Sequence, residues 1–286
     1  MTKPPPSARI YAIVARAARR ALIFRRGPAK LARLLLWDLA NDRIIPGQWF
    51  KGRIYERRCD LTPEGDGLVY SAGSHRRPLY SWTAISRPPY LTALALWPNI
   101  GAAGGGLFEA PYLLHLDRVG SLDVRFAAPD RLIIQPLSTS SEITPLEQVE
   151  RMRLQRDSWT TVDDGATWDG SDPAVAYWKF DPPLRMRKAH RRNAAWLLET
   201  RLHAIREHQG RVWAQTAALV DRAGRPITEF GSIDWTDLDH NGDVLLSKEA
   251  RLLRVRRGMH EPQLVADLND MAFEEIKAPE WASKWY

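Results

Sequence analysis

Short apolar-rich runs, most of them four to eight residues long, recur along the chain and are separated by clusters of Gly, Pro, Asn and Asp, and this spacing leaves little room for long amphipathic helices. The first series falls at 10–14, 21–24, 34–37, 53–55, 68–71, 80–86, 91–96, 107–116 and 131–135. A second follows at 174–180, 195–205, 212–221, 244–247 and 252–256. Between them stand Asn41-Asp42, the Glu64-Gly65-Asp66-Gly67 turn, Asp164-Gly165, Arg222-Ala223-Gly224 and His240-Asn241-Gly242, which suit tight hairpin connections. The expected class is therefore all-β.

The stretch 8–20 is rich in Ala and Arg and has a second reading as a basic helix. Ile10, Tyr11, Ile13, Val14, Ile23 and Phe24 favour strands, and Gly27-Pro28 stops the run. One helix is expected over 146–155, with Thr144 as cap and Pro145 at its first position. It would sit in an insertion near 137–157, after the Ser138-Thr139-Ser140-Ser141 loop. Pro182-Pro183 and the basic run after it predict a second exposed connection over 181–193.

Cys59-Asp60-Leu61-Thr62, a Gly/Asp turn and an apolar strand are echoed by Ile233-Asp234-Trp235-Thr236, a turn holding Asp239, Asn241 and Gly242, and another apolar strand. Two such hairpins far apart suggest a repeated unit. Trp37-Asp38-Leu39 resembles the strand end of a WD-type blade. Thr161, Asp163, Gly165, Thr167 and Trp168 fit the Asp-box of sialidase-like and other propellers, where Asp holds turn amides and Gly supplies a positive φ. The fold expected is a small β-propeller of about five blades, with one short helical insertion, formed by residues 1–286 as a single domain. Twelve tryptophans would fill the wedges between sheets, while Trp49, Trp82 and Trp97 are candidates for an exposed stacking platform.

The lone cysteine, Cys59, cannot form an internal disulfide and fits a reducing compartment. Arg16, Arg19 and Arg20 break the N-terminal apolar runs before they reach signal-peptide length, and no apolar stretch approaches a bilayer span of about 20 residues. A soluble, cytoplasmic chain is expected, with no membrane partner. The net charge of +7 would suit a polyanion, yet arginines are spread along the chain and mixed with acids, which argues against nucleic acid.

Sialidase-like or other carbohydrate chemistry needs an arginine cluster, a tyrosine nucleophile and an acidic partner, and no spacing selects them here. Asp237, Asp239, Asn241 and Asp243 alternate like calcium ligands, but Lys248 stands where the loop requires its closing Glu. No His pair with zinc spacing, nucleophile elbow or phosphate loop is present, and no cofactor is expected. Cys59 follows Arg57-Arg58, which could activate its thiol, although its place in an apolar segment suits a buried structural role.

Guanidinium and aromatic residues gather in the first third of the chain: Phe24-Arg25-Arg26, Gly47-Gln48-Trp49-Phe50-Lys51-Gly52-Arg53, Tyr55-Glu56-Arg57-Arg58 and Ser86-Arg87-Pro88-Pro89-Tyr90. Arg25, Arg26, Trp49, Lys51, Arg57, Arg58 and Arg87 are the candidate binding residues, suited to a protein or anionic ligand. The competing assignment is a structural network of arginines and carboxylates. The tract 24–28, the block Pro46-Gly47-Gln48-Trp49-Phe50-Lys51-Gly52, the Arg58-Cys59-Asp60-Leu61 stretch, 86–94 and, more loosely, 234–246 resemble a family of uncharacterised bacterial proteins. That resemblance implies a whole-chain, propeller-like unit and transfers no catalytic residue. The expected function is a non-catalytic binding or assembly scaffold; a carbohydrate-active propeller enzyme and a polyanion binder are the alternatives.

Overall fold

Strands β1 (Arg9–Val14), β2 (Arg20–Arg26), β3 (Leu31–Asp38) and β4 (Arg43–Lys51) form an antiparallel meander in the order β1-β2-β3-β4. The computed structural model describes residues 8–27, 31–101, 103–123, 125–137, 146–167, 178–190, 193–207 and 211–286. In β1 and β2 the interior residues are buried on both faces of the sheet, which explains their unbroken apolar runs and excludes the helical alternative for 8–20. Gly27 and Leu31 flank residues outside the described set, so Pro28 has no structural account. At the β3–β4 turn Asp38 accepts hydrogen bonds from the Ala40 amide and the Asn41 side chain, while the buried Trp37 indole donates to Asp42. Trp37-Asp38 is thus a hairpin lock.

A second sheet contains β5 (Arg53–Ile54), β6 (Asp60–Leu61), β7 (Leu68–Gly73), β8 (Ser81–Ser86) and β9 (Ala95–Pro98), ordered β5-β7-β8-β9 with β6 also on β7. A 3-10 turn, Glu56–Arg58, separates β5 from β6. The third sheet has β10 (Gly106–Ala110) and β11 (Leu113–Leu116) antiparallel, with β12 (Ile133–Pro136) parallel to β11. The run expected over 107–116 is thus two strands, because Pro111-Tyr112 turns the chain. The run expected from 91 becomes a strand only at Ala95.

Helix α1 (Gln148–Arg156) lies where a helix was expected, starting slightly later; Thr144 and Pro145, its expected cap, lie outside the described residues. The fourth sheet holds β13 (Trp159–Asp163), β14 (Ala166–Thr167), β15 (Trp178–His190), β16 (Asn193–Glu207), β17 (Arg211–Asp221) and β18 (Pro226–Ile233). Its order is β13-β15-β16-β17-β18, with β14 on β15. Residues 181–190, read from sequence as a connection, belong to β15: the register breaks between Lys179 and Leu184, and this irregularity absorbs Asp181-Pro182-Pro183. The last sheet is β19 (Trp235–Leu238), β20 (Val244–Lys248), β21 (Arg251–Val255) and β22 (Gln263–Asp267), antiparallel in sequence order.

The class is therefore all-β: five open sheets, mostly antiparallel, each built from strands consecutive in sequence, with α1 the one α-helix among the described residues. No helix there is long and apolar enough to cross a membrane. The sheets fall into two compact units, Met1–Arg153 with Asp270–Tyr286, and Leu154–Asn269.

Within the first unit Val69, Ile85, Ala95, Trp97, Phe108, Leu114, Leu116 and Leu132 form one apolar cluster, and Trp285 and Tyr286 pack against it. Trp97 is a core residue here, contrary to its candidacy for an exposed platform. The later of the two echoed segments is the hairpin β19–β20 of the second unit, whose turn is closed by Asp239 accepting the Asn241 and Asp243 amides. The earlier copy, β6–β7, is closed by Thr62, whose hydroxyl accepts the Asp66 and Gly67 amides.

Candidate binding face

Cross-strand pairing in the first sheet sets the site. Arg25 on β2 stands directly opposite Arg33 on β3, and Arg33 stands opposite Trp49 on β4, so the three side chains lie in one row on one face. The guanidinium carbons of Arg25 and Arg33 sit 5.7 and 5.1 Å from the centroid of the Trp49 ring. Both arginines are 4% exposed. Burial and then the charge of Arg33 lower the proton affinity of Arg25, and Asp270 opposes them. Like charges directly opposite on neighbouring strands destabilise a sheet. The Arg25–Arg33 opposition is offset by Glu274 and the Gly47 carbonyl on Arg33, by Asp270 acting on Arg25 and by the Trp49 ring beneath both.

A bulge places Trp49 in the row. The register slips between Arg33, paired with Trp49, and Leu35, paired with Pro46, leaving Gly47 and Gln48 opposite a single residue. A Cβ on Gly47 would lie 2.3 Å from the Pro89 carbonyl oxygen and 2.7 Å from that of Leu34, so only glycine fits. The bulge also frees Gln48 to bridge: its side-chain oxygen accepts the Leu91 amide at 2.7 Å, and its side-chain nitrogen donates to the Ile276 carbonyl at 3.0 Å.

Ile276 belongs to the final segment, which returns to the first unit after β22. Its Phe273 ring lies 6.0 Å from Trp49 and 4.5 Å from the Lys51 ammonium, and its Glu274 carboxylate pairs with Arg33. Further on, Trp281 packs edge-on to Tyr90 at 5.4 Å and beneath the Arg87 guanidinium at 4.9 Å. At the end Tyr286 stacks on Tyr112 at 5.7 Å, and its phenol is pushed upward, chiefly by burial. The Trp49 ring nitrogen is buried and has no hydrogen-bond partner among the described residues.

Of the seven residues expected to form the site, the structure gathers Arg25, Trp49 and Lys51 here and ties Arg87 to the same terminal segment. The other three take different partners. Arg26 pairs with Glu56 at 3.5 Å. Arg58 makes a two-pronged pair with Glu147 at 3.0 and 3.1 Å while lying over Tyr55. Arg57 pairs with the buried Glu150 of α1 and lies over Tyr11 at 4.9 Å. Arg153 of α1 donates to the Tyr11 hydroxyl and to the Cys59 carbonyl. In place of an apolar stripe, α1 is thus docked largely by Glu150 and Arg153, with Val149 beside them.

This second cluster contains the side-chain types of a sialidase-like centre: a tyrosine, an acid 3.5 Å from it and two arginines. Burial closes it. Glu150 is 1% exposed, and desolvation pushes the Tyr11 phenol from 10.0 up to about 12, the wrong direction for a nucleophile. Cys59 is likewise buried, and desolvation raises its thiol from 9.0 to about 12, so Arg57 and Arg58 do not activate it.

The remaining motifs resolve into local structure. The Asp163 carboxylate accepts the Gly165 amide at 3.1 Å, and Gly165 has φ +53; Trp168, which the Asp-box expectation also needs, lies outside the described residues. Asp239 and Asp243 both bind the buried Arg254 guanidinium, at 2.6 and 2.9 Å, so a fixed cation already stands where calcium would. No group of three metal-ligating side chains occurs among the described residues.

Sequence reasoning missed Arg33, Gln48, Phe273 and Glu274. Arg33 had one available signal, a single cation inside an otherwise apolar strand. The terminal residues had none, because they reach the row only through folding.

No family model matches the chain. No curated protein matches it either. A solved structure from work on two prolyl endopeptidases, concerned with inter-domain dynamics in their catalysis and specificity, aligns at 12% identity with TM-score 0.26. The alignment covers 90% of this chain and 42% of the other, so the chain spans less than half of that protein. A likeness this shallow carries no argument about fold or activity.

Proposed function

We propose that the chain is a non-catalytic binding scaffold whose ligand-facing surface is the Arg25–Arg33–Trp49 row with Lys51 beside it. One observation carries this reading: two nearly buried guanidiniums are held directly opposite each other on neighbouring strands and against one indole, an arrangement that a sheet selected for stability alone has no need of. Stacked, desolvated arginines with donors in a planar fork suit a carboxylate-bearing ligand. We also read the five sequence-contiguous sheets as blades of a small propeller, an architecture that often presents such surfaces without catalysis. The glycosidase alternative is disfavoured by the burial of the matching constellation found among the described residues, Tyr11, Arg57, Glu150 and Arg153.

Titration of the purified chain with labelled anionic probes tests the reading: an oligoglutamate peptide, inorganic polyphosphate and a single-stranded oligonucleotide. At least one should bind saturably, with affinity falling about tenfold or more in Arg33→Ala and Trp49→Ala. Turnover of an aryl sialoside that disappears in Tyr11→Phe would overturn it, as would anion binding indifferent to both row variants.

A further inference from the structure

The row is already filled, and what fills it describes its ligand. The occupying stretch presents, in order, Asp270 acting on Arg25, Phe273 against Trp49 and Lys51, Glu274 on Arg33, and the Ile276 carbonyl accepting from Gln48. Resting on the reading above, we infer that this face docks an extended peptide with an aromatic residue followed directly by a carboxylate. The chain's own 270–276 stretch is then a displaceable internal ligand of that type.

Two features argue that the stretch is held loosely. Residues 272–275 are exposed, with Phe273 at 47%, and among the described residues no backbone–backbone hydrogen bond joins 271–278 to a strand, the Gln48 side chain on the Ile276 carbonyl being the polar tie to β4. The later part of the segment is anchored differently: Ala282 is fully buried, Trp281 packs on Tyr90, and Trp285 and Tyr286 join the apolar cluster. The front can therefore leave while the back keeps its place.

A third feature supplies a reason for exchange. The Trp49 ring nitrogen is a buried donor that the internal stretch leaves unpaired. A docked peptide whose carbonyl or carboxylate reaches that nitrogen recovers an interaction the resident lacks. Because the resident is covalently attached, its effective concentration is high, and an external peptide competes against that advantage.

The test uses the full-length chain and a fluorescent peptide with the sequence of residues 270–278, read by anisotropy. Replacing Phe273 and Glu274 together by Ala opens the face without touching the Trp281–Tyr286 anchor; a thermal melt checks that the variant is folded. The double variant should bind the peptide at least tenfold more tightly than the unmodified chain, and adding Arg33→Ala or Trp49→Ala should abolish the gain. A peptide with Phe273 replaced by Ser should fail to bind.

Equal affinity for both proteins, or binding by neither, overturns the inference. If the double variant ignores the peptide but binds polyphosphate or the oligonucleotide in an Arg33-dependent manner, the peptide assignment falls and the scaffold reading stands. If no anion binding depends on Arg33 or Trp49, both fall. Dimerisation of the double variant through its terminal segment, seen by light scattering, would make a second copy the occupant and also overturn the external-peptide assignment.

Discussion

The first unit contains two arginine-aromatic clusters that look alike in sequence and differ in what closes them. Around α1, Arg57 and Arg153 converge on Glu150 and Tyr11, and the acid is 1% exposed. Around Trp49, Arg25 and Arg33 face each other, and the carboxylate that meets Arg33 belongs to a side chain 58% exposed. In the first cluster the anion is locked inside with its cations, so the charges hold a helix in place. In the second the cations are locked inside and the anion is on the outside. Guanidinium content alone therefore does not distinguish structural cement from a docking surface; the burial of the counter-charge does.

The comparison is broken most severely by removing a cation from the closed cluster. Arg57→Ala strands Glu150 without its nearest partner, and urea denaturation should show a loss of about 3–5 kcal/mol. A loss below about 1 kcal/mol would mean that water reaches Glu150 and that α1 is not docked by charge. Gly47→Ala acts on the open cluster through the backbone, since its Cβ would meet two carbonyl oxygens inside 3 Å. It should destabilise by about 1–3 kcal/mol and shift Trp49, visible as a change in the tryptophan emission spectrum.

Alkaline titration sharpens the contrast. Cys59 and Tyr11, both at the closed cluster, have folded values raised to about 12. A raised folded value stabilises the protein fully below the unfolded value, and that stabilisation is lost as pH rises through the folded one. Stability should therefore fall between about pH 9 and pH 12, by up to about 1.4 kcal/mol per unit for each group. Cys59→Ala should flatten part of that slope; an unchanged slope would place the thiol in water. Glu274→Ala, at the open cluster, should cost about 1–2 kcal/mol, less than Arg57→Ala, because the buried Arg33 loses its carboxylate but keeps the Gly47 carbonyl and the Trp49 ring.

What could be read from sequence follows burial. Strands such as β2 and β7, buried on both faces, spell continuous apolar runs and were visible. β4 was not, because Pro46-Gly47 reads as a break, although an edge strand with a bulge tolerates both. β18 was missed for a related reason: most of its residues face solvent, so it carries no apolar run. At the site, Arg25, Trp49 and Lys51 were legible as a local cluster of charged and aromatic residues. Their separation from Arg57 and Arg58 was not, since Glu147 and Glu150 lie far along the chain. Nor could Phe273 and Glu274 be assigned, because nothing near them in sequence names their partners.

The claim at the centre is that the Arg25–Arg33–Trp49 row is kept for binding at the expense of stability. Urea denaturation of Arg33→Met addresses it most directly, since the substitution keeps an unbranched apolar stem while deleting one of two opposed charges. The protein should lose no more than about 1 kcal/mol, or gain stability, because the substitution relieves the opposition to Arg25 and the carboxylate it leaves behind, Glu274, is 58% exposed and can be solvated. A loss matching that of Arg57→Ala would make the row another piece of structural cement and contradict the account.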